Sequence, residues 1–177
     1  VTAVGAKDGA IVTEEESGAL YEYGDAANDA AKALAEYGVG FPGGSFDADA
    51  PITWREAAAL VIELDGTHVW NEDDATILQC ARNDRISLDA AQLDANVARG
   101  ELIRALLTMS GYDRAARVVG AFSSSFTDAE TFGDDFGFYA LAEAMDLARA
   151  DENGALRADA PLTRGEAAEM IWRFVNR

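Results

Sequence analysis

Histidine and cysteine, the side chains most often recruited for nucleophilic and metal chemistry near neutral pH, occur once each in this chain, as His68 and Cys80. One imidazole and one thiol leave no metal site needing two imidazoles, no thiolate zinc site and no intrachain disulfide. A Cys80/His68 nucleophile pair is conceivable. However, Ile77-Leu78-Gln79-Cys80-Ala81 reads as an apolar helical stripe, where cysteine serves as a small buried side chain. No G-x-S-x-G, G-x-x-x-x-G-K-[ST] or G-x-G-x-x-G string occurs. Asp151-x-Asn153-Gly154 has the start of an EF-type calcium loop, but its twelfth position is Leu162, not an acid. Pairs of carboxylates are unavoidable among 32 Asp and Glu, and none has a supporting context. The expectation is a binding protein that is not an enzyme and needs no cofactor.

Charge narrows what it can bind. Against 32 acidic residues stand 14 Lys and Arg, a net charge of −18. Such a field repels nucleic acid and anionic membranes unless a local basic patch overrides it. The apolar fraction of 49% is ordinary, so the acidity does not imply disorder. No apolar run approaches the roughly 20 residues of a membrane span. There is no signal-peptide pattern, and Val1 is compatible with a processed or trimmed start. The length of 177 residues suits one domain or a tight array of repeats.

Self-similarity decides between those two. Gly44-Ser45-Phe46-Asp47-Ala48-Asp49-Ala50-Pro51-Ile52-Thr53-Trp54-Arg55-Glu56 aligns without a gap on Gly154-Ala155-Leu156-Arg157-Ala158-Asp159-Ala160-Pro161-Leu162-Thr163-Arg164-Gly165-Glu166. Asp94-Ala95-Asn96-Val97-Ala98-Arg99-Gly100-Glu101 is a weaker third copy. Thr53-x-x-Glu56 and Thr163-x-x-Glu166 are capping boxes, with Ile52 and Leu162 placed to staple the first turn. Pro51 and Pro161 keep the approach extended. Ala98 replaces the threonine in the middle copy, which weakens that helix start by about 1 kcal/mol. An amphipathic helix follows each box, with apolar residues at helical spacing. Shorter Ala-rich helices precede the boxes, at about 26–37, 72–82 and 136–149. Glycine-bearing loops at 38–44 and 151–154 can offer backbone N–H groups to a ligand. As single loops they read first as turns needing positive φ. Ala10-Ile11-Val12-Thr13 is the best strand candidate, and Ser123–Ser125 reads as a loop.

Two helices joined by a glycine loop, then a large apolar residue, a proline and an I-T-R-A-E-like string, is a pattern that resembles the S-layer homology domain. The resemblance covers roughly residues 23–177. It is specific in the third copy, good in the first and weak in the second. It implies a mainly α fold of three helical-hairpin repeats in a pseudo-threefold spindle around a central three-helix bundle. The implied boundaries are an arm or linker at 1–22 and repeats at 23–68, 69–122 and 123–177. The implied function is non-catalytic anchoring to the bacterial cell envelope. Grooves between repeats would bind secondary cell-wall polysaccharide carrying a pyruvyl or other anionic group, and the protein would be secreted to the cell surface.

The resemblance also implies site residues. Arg164, in Leu162-Thr163-Arg164-Gly165-Glu166, occupies the family's ligand-binding arginine, and Phe126-Thr127-Asp128 matches the string that opens a copy. Arg99 holds the same place in the second copy, where Trp70 falls near the family's first-helix tryptophan. The first copy departs, with Trp54 where arginine is expected and Arg55 one residue later. Its Tyr23-Gly24-Asp25 approximates the opening string, and Gly43-Gly44 stands for the usual Asp-Gly; Gly154 is the third-copy counterpart. In the third copy Asp146 and Ala150 sit where glycines are common. Arginine can grip a carboxylate bidentately, and a helix N-terminus would add backbone donors. Trp54 or Trp70 could stack on a sugar; packing in the core or groove wall is the competing role. The competing role for Arg99 and Arg164 is an ion pair with neighbouring carboxylates. The charge of −18 opposes an anionic glycan, so the alternative function is a protein-interaction or assembly module that kept the fold, lost glycan binding and engages another surface protein.

Overall fold

The computed structural model describes residues 6–7, 10–11, 21, 28–42 and 46–177. The chain is mainly helical. A two-residue antiparallel ladder pairs β1 (Ala6–Lys7) with β2 (Ala10–Ile11); β2 is the first half of the expected strand, whose Val12-Thr13 lie outside the described residues. Seven helices follow among the described residues: α1 (Asp29–Glu36), α2 (Trp54–Glu63), α3 (Asp74–Asn83), α4 (Arg99–Met109), α5 (Asp113–Ala116), α6 (Phe136–Ala144) and α7 (Arg164–Val175). Two 3-10 turns, Ala129–Thr131 and Gly133–Asp135, lead into α6. No described helix is long and apolar enough to cross a membrane.

Helices α2, α4 and α7 open at the three glutamate strings. Thr53 and Thr163 accept from the backbone N–H of Glu56 and Glu166, and each glutamate returns a carboxylate oxygen to the cap N–H. Ala98 has no acceptor to offer, so only the reciprocal half survives: Ala98 N–H donates to Glu101 Oε2 at 2.8 Å. The residues before the caps, Ile52, Val97 and Leu162, are at most 1% exposed. Burying each is worth about 1.5–3 kcal/mol.

Those three residues also hydrogen-bond one another in a closed ring. Ile52 N–H donates to Leu162 O at 3.0 Å, Leu162 N–H to Val97 O at 2.9 Å, and Val97 N–H to Ile52 O at 3.0 Å. The first two donors of each helix run round the three junctions in the opposite sense. Trp54 and Arg55 donate to Ala95 and Leu93, Arg99 and Gly100 to Ala160 and Ala158, and Arg164 and Gly165 to Ala50 and Ala48. The first N–H groups of a helix have no partner inside it. Here each junction satisfies them with carbonyls of another.

The closest partners of the boxed helices are α3 for α2, α6 for α4, and α1 for α7. Each boxed helix therefore packs most closely on a helix of the next segment, and the last returns to the first. Helices α1, α3 and α6 also end alike. A residue in the left-handed region (Gly38 at φ 76°, Arg85 at 66°, Asp146 at 54°) precedes an apolar residue that donates back five positions, Val39 to Leu34, Ile86 to Ala81 and Leu147 to Ala142. This stop corrects the expected helix over 136–149, which ends at Ala144 because Asp146 takes the left-handed turn. Helix α3 is displaced slightly, to 74–83, by the Asp73 cap on Thr76 N–H. The start of α1 is set by Asn28, which accepts from Ala31 N–H at 2.8 Å.

Candidate functional site

The expected site residues fall into three separate places. Arg164 and Trp70 meet around Phe41. The Arg164 guanidinium lies over the Phe41 ring, 5.2 Å from its centroid, and its Nη2 pairs with Glu56 Oε1. Trp70 is half-buried on the same ring, with centroids 5.8 Å apart. Its Nε1 is buried and has no hydrogen-bond partner among the described residues. Gly43 and Gly44, expected in the adjoining loop, lie outside the described residues, as does Tyr23-Gly24-Asp25.

Arg99 sits elsewhere and repeats that pairing, its Nη2 bonding Glu166 Oε1. The glutamates are the capping-box residues themselves: Oε2 caps the helix and Oε1 takes the arginine of a different helix. Arg99 also lines a cleft of about 260 Å³ with Arg149, Arg173, Glu166, Glu169 and Met170. Arg149 is held by Asp146 and Arg173 by Glu169. Three arginines thus line one cleft of a chain whose net charge is −18, each paired with a carboxylate.

The third place carries Trp54 where the others carry arginine. Its indole is buried at 6% exposure and walls a cleft of about 310 Å³ that Glu101 also lines. Arg55 instead bonds Asp74 at 2.8 Å and Asp94 at 3.3 Å, and Asp74 chiefly raises its pKa, against desolvation and with Asp94 adding to the rise.

Two expected sources of ligand donors are already in use. The N–H groups at the starts of α2, α4 and α7 donate to carbonyls across the junctions. Gly154, at φ 79°, donates its N–H to Asp151 O, and its own carbonyl accepts from Thr127 N–H. Gly154 is thus a turn residue whose N–H faces no ligand. Nearby Asp128, from the opening string, accepts from Leu156 and Arg157 N–H and pins the loop. Asp151 caps its own loop through Asn153 and Ala155, whose N–H groups lower its pKa. No group of three or more His, Cys, Asp or Glu that could hold a metal occurs among the described residues.

The single thiol and imidazole stay apart in role. Burial raises the Cys80 pKa, with Asp84, Asp65 and Glu72 adding to the shift, so the thiol is held protonated. His68 instead meets the buried Glu63 at 3.0 Å. Residues that sequence reasoning passed over are Phe41, Arg149 and Arg173, and the second oxygens of Glu56 and Glu166. The only signal for the last was that a capping glutamate uses one oxygen and keeps another. No family model matches the chain, and none of the curated proteins is similar to it.

Proposed function

We propose that this chain is a non-catalytic module for anchoring at a bacterial cell envelope, built as three helical repeats of the S-layer homology type in a pseudo-threefold spindle. The closed ring of Ile52, Val97 and Leu162 and the rotating pairs α2–α3, α4–α6 and α7–α1 support that architecture. The observation that carries the function is the cleft that Arg99, Arg149 and Arg173 line in a chain of net charge −18. Its ligand is a carboxylate-bearing wall polysaccharide, which exchanges with Glu166 for the Arg99 guanidinium. At physiological salt the Debye length is about 8 Å, so the wider acidic surface is screened while contacts inside the cleft are not. On this reading the protein acts outside the cell, on the wall.

Cosedimentation with bacterial wall sacculi, intact or stripped of secondary polysaccharide, tests it. Wild type sediments with intact sacculi only. Arg99→Ala reduces retention about tenfold, with helix content unchanged by circular dichroism. Equal retention of wild type on stripped sacculi removes the polysaccharide, and full retention of Arg99→Ala removes the residue.

One observation favours a second reading. Both family-position arginines are occupied by glutamates of the same chain, which suits an assembly module that has lost glycan binding. That module associates with itself or with another surface protein, and wall glycan leaves its light scattering unchanged.

A further inference from the structure

We propose that the turn at 118–121 docks on the outer face of α1 and α7 in a second copy of this chain, so that copies associate head to tail. Large apolar side chains exposed among the described residues are few: Tyr37, Tyr112, Val118, Val119 and Val175. Val118 and Val119 are 57% and 100% exposed and stand together in a tight turn. Ala121 N–H donates to Val118 O at 3.2 Å, and Gly120 takes the positive φ of 74°. Turns of this kind favour Gly, Asn, Asp, Pro and Ser, so two valines at the tip serve no local need. The turn is fixed at both ends, by the buried Ala116 before it and by Phe122, packed on the core, after it. An apolar tip held in this way loses little freedom on docking.

Charge says what the tip meets. Arg114 and Arg117 precede it, both exposed and neither with an acidic partner among the described residues. Arg117 shares the Phe138 ring with Arg104, at 5.5 and 6.0 Å from its centroid. A basic apolar tip fits an acidic apolar surface, and α1 with α7 provides one. Tyr37 is 67% exposed and stacks on Trp172 at 5.9 Å, and Val175 follows one turn along α7 at 44% exposure. Beside them runs a groove of about 550 Å³ lined by Asp29, Ala30, Ala33, Glu169, Trp172 and Arg173. Asp29 and Glu36 are exposed and make no ion pair among the described residues, whereas Glu169 holds Arg173. Lys32 is exposed on the same helix, so α1 carries two acids to one base.

None of the site residues implied by the resemblance lines this groove. The contact rests on the assembly reading above, to which it gives a surface and an occupant, and it makes no use of Arg99. Two valines beside two arginines also suit an anionic membrane, but a net charge of −18 opposes that approach.

Sedimentation equilibrium of the whole chain over a range of concentrations is the test. Wild type self-associates, and does so more weakly as salt rises from about 0.05 M to about 0.5 M. Val119→Asp and Tyr37→Ser, both at exposed positions, each weaken association about tenfold or more. A mixture of the two variants associates where neither does alone, because the intact turn of one meets the intact face of the other. Arg114→Gln with Arg117→Gln flattens the salt dependence. A wild type that stays monomeric throughout overturns the contact and the self-association it rests on together. Association that survives both variants overturns these surfaces but spares self-association, and so does a mixture that fails to restore it. Cosedimentation of monomeric wild type, but not of Val119→Asp, with phosphatidylglycerol vesicles puts a membrane in place of the second copy.

Discussion

Arg164 pairs with Glu56 across 108 positions of sequence, and Arg99 repeats the arrangement with Glu166 across 67. In each pair one glutamate oxygen caps its own helix while the other binds an arginine from a different one. The glutamate is therefore both a local cap and a long-range clasp. Arg164 is 27% exposed and Glu56 16% at the side chain, between the surface limit of at most about 1 kcal/mol and the buried limit of 3–5. Arg164→Ala is expected to cost about 1–2 kcal/mol in urea denaturation. In a double-mutant cycle with Glu56→Gln the two losses fall short of adding. Strict additivity would show that the pair contributes nothing.

Capping gives a second expectation, of opposite sign at different junctions. Thr163→Ala removes the acceptor for Glu166 N–H and costs about 1 kcal/mol. Ala98→Thr supplies the missing acceptor beside a glutamate already in place, and raises stability by about 0.5–1 kcal/mol. Thermal unfolding of both variants decides it; a destabilised Ala98→Thr means that the half-buried junction has no room for the hydroxyl.

The helix starts were legible in the sequence because their chemistry is local: threonine, glutamate three residues on, and an apolar residue before. The stops were not. Gly38 announces the end of α1, but Arg85 and Asp146 take the same left-handed conformation without a glycine to mark it, so the helix expected over 136–149 overruns its true end. The arginines were legible as positions, their partners were not. No spacing rule links Arg99 to Glu166, because the junction carbonyls of Ala158 and Ala160 bring the two helices together. The meeting of Arg104 and Arg117 was equally hidden, since only packing against Phe138 gathers them.

Close backbone approach supplies a graded set of glycine replacements. A Cβ on Gly137 would stand 1.8 Å from the Ala116 carbonyl oxygen, between α6 and α5. Gly137→Ala must push the backbones of these helices apart and is expected to cost about 3 kcal/mol. A Cβ on Gly100 would stand 2.3 Å from the Tyr139 hydroxyl, a buried phenol whose pKa is pushed up to about 12, chiefly by desolvation. Gly100→Ala is destabilising, and Tyr139→Phe in the same chain recovers some of the loss. Gly165, the same helix position in α7, has its nearest neighbour at 3.1 Å, so Gly165→Ala is the mildest of the three. Chemical denaturation of the series checks the order, and a Gly137→Ala as stable as Gly165→Ala breaks it.

The last expectation concerns Glu63, the buried charged residue that the motifs did not flag, at 3% exposure. Its carboxylate accepts from Tyr21 Oη and from Gly40 N–H at 2.9 Å, and His68 Nδ1 lies 3.0 Å away. Burial pushes the carboxyl above its ordinary 4.5, and the bonds from His68, Tyr21 and Gly40 pull back without cancelling the shift. A raised carboxyl binds its proton more readily in the folded chain than in the unfolded one. Its contribution to stability is then complete below pH 4.5 and is lost as the pH rises through the folded value. Asp146 and Asp151 run the other way. Arg149 lowers the first and the Ala155 and Asn153 N–H groups lower the second, so their contributions are lost only as the pH falls below 3.8. Glu63→Gln keeps an acceptor for Gly40 and abolishes the titration, while every other carboxylate cancels in the comparison. Urea midpoints of wild type and Glu63→Gln between pH 4.5 and 7 should therefore diverge. The wild type falls relative to the variant by at most about 1.4 kcal/mol per pH unit. A flat difference would mean that the buried carboxyl titrates as it does in the unfolded chain, and that its hydrogen bonds offset its burial in full.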